Sequence, residues 1–67
     1  MQVRWQDRIV STPDVLRGKP RLKQTRIPAS LILGYLAAGS TADEIIAEFA
    51  DLTVEDVAAC LDYARSG

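Results

Sequence analysis

From Pro28 onward the chain is punctuated so closely that no helix in it can run far. Pro28 suits a first helical position, where no N–H is needed. Gly39 ends that segment, because glycine adopts the left-handed cap without steric cost. Ser40 or Thr41 caps the next, and Thr41-Ala42-Asp43-Glu44 fits a capping box in which the Glu side chain returns to the cap N–H. Ala50-Asp51 breaks the pattern, and Thr53 caps a third segment, with Leu52 and Val57 placed as a hydrophobic staple. Between these marks lie three apolar stripes: Leu31, Ile32, Tyr35 and Leu36; then Ile45, Ile46 and Phe49; then Val54, Val57, Leu61 and Ala64. The pattern predicts three short helices over 28–65, joined by turns of three or four residues, the last two spaced like a helix-turn-helix.

Residues 1–27 lack helical periodicity. Arg8-Ile9-Val10 is a strand candidate, Ser11-Thr12-Pro13-Asp14 a turn, and Gly18-Lys19-Pro20, reached through Val15-Leu16-Arg17, a second turn. From Arg21 to Ile27 the chain alternates, with Leu22, Gln24 and Arg26 on one side and Arg21, Lys23, Thr25 and Ile27 on the other. This alternation does not separate apolar from polar, so it predicts an exposed or edge strand. Strands over 8–10 and roughly 21–26 would pair, and since a lone hairpin is marginal in water, a partner strand is expected. The expected fold is therefore mainly α and a single domain over 1–67. It has a flexible start (1–7), a basic β-arm or hairpin (8–27) and a three-helix helix-turn-helix bundle (28–65).

A chain of 67 residues buries only about 60% of its unfolded surface, so its own core is thin. One Cys allows no internal disulfide, and a lone Cys without any His builds no zinc site. Self-association or ordering on a partner is the remaining route, and a homodimer is expected. The first residues hold no apolar core of a signal peptide, no apolar run approaches the roughly 20 residues that span a bilayer, and a free Cys suits a reducing compartment. A cytoplasmic protein follows.

Catalysis is not expected, and neither is a cofactor or metal. The absence of His excludes a Ser-His-Asp or Cys-His device, and Gly18 and Gly39 are isolated turn residues rather than a phosphate loop. Glu44 and Glu48 share a helix face but read as solvated, and Cys60 reads as a buried small hydrophobe. Asp43, Glu44, Glu55 and Asp56 fall in first helical turns, where the helix dipole favours negative charge, so their placement has a structural reason.

The net charge of −1 conceals a division. Residues 1–27 carry Arg4, Arg8, Arg17, Lys19, Arg21, Lys23 and Arg26 against Asp7 and Asp14, a net +5. Residues 28–67 carry Arg65 against seven acids, a net −6. Either the two halves attract each other, within one chain or across a dimer, or the basic part meets an anionic partner. On an extended strand Arg21, Lys23 and the Thr25 hydroxyl share a face, with Arg17, Lys19 and Arg26 nearby. These six are the candidate DNA- or partner-binding residues, acting as a two-stranded ribbon on DNA or through Arg–carboxylate pairs on an acidic protein. The third helix is a poor groove reader, because Glu55 and Asp56 would meet phosphates with like charge. Trp5 either anchors a partner or caps the chain's own core.

Several of these residues recur together as a pattern: Arg8-Ile9-Val10, Pro13, Gly18-Lys19-Pro20, Thr25-Arg26-Ile27-Pro28, Gly39-Ser40, Glu44-Ile45-Ile46, Leu52-Thr53, Glu55-Asp56-Val57 and Tyr63-Ala64. Over residues 8–64 the chain resembles family 433 of the domains of unknown function, small bacterial and archaeal proteins. The resemblance implies a homeodomain-like or winged-helix-like module with a short β-arm. It also implies an antitoxin of a type II toxin–antitoxin pair, with a PIN-like nuclease toxin as cognate partner; the basic arm adds operator DNA as a candidate second partner. The alternatives are a stand-alone DNA-binding regulator and a protein adaptor that binds no DNA. Two positions depart from the family pattern. Gln24 stands where Gly is usual, which argues against the family's backbone turn near residue 24, and Phe49-Ala50 stands in place of Tyr-Pro, which implies a looser link between the last two helices.

Overall fold

The computed structural model describes residues 2–66. Three helices, α1 (Ala29–Ala37), α2 (Ala42–Glu48) and α3 (Val54–Ser66), follow a hairpin of β1 (Ile9–Val10) and β2 (Arg21–Leu22). Three of the helix boundaries are local hydrogen-bond solutions. Beyond α1, Gly39 takes φ +99°, its N–H reaches the Leu36 carbonyl, and the Ser40 N–H reaches Tyr35, which are the two bonds of a Schellman cap. Before α2, the Thr41 N–H donates to Glu44 Oε1 at 2.8 Å and the Glu44 N–H returns to Thr41 Oγ1 at 3.2 Å. Before α3, Thr53 and Asp56 repeat that reciprocal box at 3.0 and 3.3 Å. Leu52 and Val57 are both buried, as a staple requires. Pro28 is the N-cap of α1 rather than its first helical residue.

The expected stripes hold in α1 and α2 with one residue turned out, whereas α3 is rotated. In α1 the expected Ile32, Tyr35 and Leu36 do face the core, joined by Ala29 and Leu33, and Leu31 alone of that stripe turns out, at 42% exposure. In α3 the buried residues are Val57, Ala59 and Cys60, with Tyr63 packed beside them, while Val54 is 43% and Leu61 51% exposed. The polar contacts of α3 explain its rotation. Asp56 accepts from Arg8 Nη1 at 3.1 Å, and Asp62 accepts from the Trp5 backbone N–H at 3.1 Å, so the face around 56, 60 and 63 must look inward.

The hairpin differs more from expectation. β1 and β2 pair antiparallel with Ile9 opposite Leu22 and Val10 opposite Arg21, but β2 stops at Leu22 instead of running to residue 26. The Thr25 N–H and hydroxyl both donate to the Leu22 carbonyl, closing a turn in which Gln24 takes φ +63°. The chain then doubles back. The Leu22 N–H donates to the Ile27 carbonyl and the Ala29 N–H to Pro20, with Arg21 opposite Pro28 in a pair that exchanges no hydrogen bonds. Proline is tolerated there because its missing N–H is not called upon. Residues 27–28 therefore cover the second edge of β2, and the partner strand expected from elsewhere is supplied by the chain itself. Nor is this segment an exposed arm: Ile9 and Leu22 enter the same core as Ile32, Ile45 and Cys60. One inward apolar residue per two-residue strand suffices for that, too few for an alternation to reveal. The radius of gyration, 11.0 Å, matches the roughly 11 Å of a fully compact chain of this length.

The start expected to be flexible is docked from Trp5 onward, while Met1 lies outside the described residues. Trp5–Asp7 form a 3-10 turn, and the Trp5 ring meets Tyr63 edge-on with centroids 5.0 Å apart. The link between α2 and α3 is pinned rather than loose. Phe49 packs edge-on against Tyr35 at 5.6 Å, and its carbonyl accepts from the Leu52 N–H.

Candidate binding surface

The six candidate residues separate into two groups. Arg21 and Thr25 are used by the fold. Arg21 is half-buried, its Nη1 donating to the Thr25 carbonyl at 3.1 Å and its Nη2 to Thr12 Oγ1 at 3.3 Å, with Nε shielded from solvent. It ties the 11–20 loop to the hairpin turn. The Thr25 hydroxyl donates to Leu22 and accepts from the Ile27 N–H at 3.1 Å, so neither residue presents a free group on a shared strand face. That expectation required a strand through residue 25, and the turn at Gln24 removes it.

Arg17, Lys19, Lys23 and Arg26 are exposed, and none of them forms a salt bridge among the described residues. Their backbone is held firmly. Leu16, Arg17 and Gly18 take φ of 52°, 55° and 81°, a left-handed turn closed by Gly18 N–H to Val15 and Lys19 N–H to Leu16. The Ser11 hydroxyl donates to the Gly18 carbonyl and braces the turn from across the loop. Left-handed backbone costs a non-glycine residue about 1–2 kcal/mol, so two such residues in succession persist only where the surroundings hold them. Lys23 and Arg26 flank Gln24 and Thr25 at the other turn.

Among the described residues, one ion pair joins the basic and acidic parts, Arg8 with Asp56. A hollow of about 510 Å³ is lined by Arg4, Asp7, Arg8, Lys23 and Gln24 from the first part of the chain and by Asp51, Glu55 and Asp56 from the second. Arg8 is spent there on Asp56, and Lys23 lines the same hollow as these acids. Internal attraction thus accounts for part of the charge division, leaving Arg17, Lys19 and Arg26 outside it. Lys19 also borders a second hollow of about 300 Å³, floored by Pro20, Ala29, Leu33 and Tyr63. Leu33 and Tyr63 were no part of the sequence-based site. They lie far from Lys19 in the chain, and no local pattern joins them.

Trp5 serves the chain's own core through Tyr63 and Asp62. Glu44 has its carboxyl held below the usual carboxylate range, first by the Thr41 backbone N–H and then by the Thr41 hydroxyl, a capping role. Cys60 is fully buried, and burial, with a smaller push from the Asp56 carboxylate, raises its thiol to about 11, which leaves it protonated and unreactive at neutral pH. No group of three or more metal-ligating side chains occurs among the described residues, and no helix is long and apolar enough to cross a membrane.

Comparison with known proteins gives a consistent placement. A family model described as "Protein of unknown function (DUF433)" matches residues 9–64. A crystal structure of a DUF433 member protein from Anabaena variabilis is 34% identical, with a TM-score of 0.85. The match covers 92% of this chain and 61% of that one, so this chain spans less than two thirds of its relative. No curated protein matches. With its hairpin, its three capped helices and nearly all its length inside that match, the chain belongs to the DUF433 family.

Proposed function

We propose that this protein is an antitoxin-like binding protein of a type II toxin–antitoxin pair. It neutralises a PIN-like nuclease in the cytoplasm and represses its own operon, without catalysing a reaction. The observation that supports this reading is the set of exposed cations, Arg17, Lys19, Lys23 and Arg26, on two braced turns beside a bundle whose nominal recognition helix opens with Glu55 and Asp56. Cations on a rigid edge suit phosphates or an acidic protein surface, because their positions are set before binding. Glu55 and Asp56 disfavour insertion of α3 into a groove, so DNA contact falls to the turns.

The test is binding of the purified protein to its upstream DNA against salt, with a random duplex as control, beside co-purification with a PIN-like nuclease. Selective binding should weaken by about 0.9 in log K per phosphate contact for each tenfold rise in salt. Replacing Arg17, Lys19, Lys23 and Arg26 by Ala should abolish it. Operator binding with no nuclease captured would make the protein a stand-alone regulator. Capture with no DNA binding would make it an adaptor, and full binding of both by the fourfold variant would remove the turns from the account.

A further inference from the structure

The exposed side of α3 has a pattern of its own. Val54, Ala58, Leu61 and Arg65 recur at spacings of four, three and four, the seam of a helix that packs on another helix, and all four lie on the outer side of α3 away from Val57 and Cys60. Leu61 stands out at 51% exposure, and next to it a shallow hollow of about 240 Å³ lies over the small Ala58, bordered by Val3, Asp62 and Arg65. A projecting residue and a matching hollow side by side on one helix form a self-complementary surface, which a two-fold axis can use twice.

We propose that α3 is a homodimer interface in which two copies pack antiparallel along this seam. An axis midway between Ala58 and Leu61 sets each Leu61 over the partner's Ala58, large against small, and lays the Arg65 stem beside the partner's Val54. The charges agree with this direction. Glu55 and Asp56 open α3 and Arg65 closes it, so antiparallel packing brings Arg65 to the partner's Glu55, whereas parallel packing sets like charges together. Arg65 is free to serve, since its contact with Asp62 is long, 3.7 Å, and its side chain is 86% exposed. The surface is separate from the basic turns and does not depend on the function proposed above.

Sedimentation equilibrium of the full chain tests this, with circular dichroism verifying the helices of every variant. The native chain should sediment at twice its 7.3 kDa. Leu61→Ser, at an exposed position, should return it to the monomer with its helices intact. Glu55→Arg should also dissociate the dimer, and adding Arg65→Glu should restore it, because the pair is exchanged across the axis. A native monomer at every accessible concentration overturns the proposal. So does a dimer indifferent to Leu61→Ser, or a double variant no better than Glu55→Arg alone.

Discussion

The helical part and the hairpin part of this small protein are built by different rules. Beyond the start of α1, which hangs on Pro20, the boundaries of the bundle are settled within five residues of themselves: Gly39 with Leu36 and Ser40 with Tyr35, Thr41 with Glu44, Thr53 with Asp56. From Arg8 to Pro28, order comes from groups distant in the chain or from side chains that substitute for a ladder. Arg8 reaches Asp56, Arg21 spans Thr12 and Thr25, and Leu22 lies in a core made mostly by helices. Two strands of two residues each cannot stand alone in water. The hairpin is therefore stable only as a layer on the bundle, and the bundle in turn relies on Ile9 and Leu22 to close its core.

The largest effect that would break this division comes from Leu22→Ala. The side chain is 1% exposed, and emptying its place should cost about 3 kcal/mol, within the range for buried Leu truncations. A chain of this size has only about 3–10 kcal/mol in total. Urea titration followed by helical circular dichroism should show helices and hairpin lost together at a much lower midpoint. If the helices persisted while the hairpin alone melted, the two parts would be independent after all.

A smaller effect acts from the helical side. Cys60 is raised from 9.0 to about 11 because burial disfavours its thiolate. Above pH 9 the unfolded chain gives up this proton while the folded chain keeps it until about 11, so the unfolded state binds fewer protons and stability falls as pH rises through that window. The full shift corresponds to at most about 3 kcal/mol. Cys60→Ala removes the linkage, so the difference in melting temperature between the native chain and this variant should narrow or reverse between pH 9 and 11. A difference independent of pH would mean that Cys60 titrates as it does in the unfolded chain.

This contrast also explains what could be read in advance. Three helices, the Thr41–Glu44 capping box, the Thr53 cap, the Gly39 cap, the Leu52–Val57 staple and the inert Cys60 are written in neighbouring residues, and family membership is legible in the motifs that make those turns. The rotation of α3 was not, because it follows from Asp56 and Asp62 meeting Arg8 and Trp5, 48 and 57 positions away. The candidate site was half legible. Exposure of Arg17, Lys19, Lys23 and Arg26 follows from their charge, but Arg21 carries the same charge and is turned inward by Thr12 and Thr25. Composition does not distinguish the cation that braces a loop from the one that faces outward.

The smallest change sharpens the comparison instead of breaking it. Gln24 holds φ +63° at the hairpin turn, where a side chain is strained and glycine is not. Gln24→Gly removes about 1–2 kcal/mol of local strain but restores conformational freedom to the unfolded chain, worth about 0.4–1 kcal/mol in the other direction. The net should be a gain of about 0.5–1 kcal/mol, which moves the melting temperature of a domain this small up by several degrees. Because Gln24 is exposed and its side chain makes no hydrogen bond among the described residues, nothing else is lost. The gain should appear in the unfolding of the whole domain, helices included, since the turn and the bundle melt as one unit. A gain confined to hydrogen exchange at residues 22–27, with the global midpoint unchanged, would show instead that the turn opens on its own while the rest stays folded.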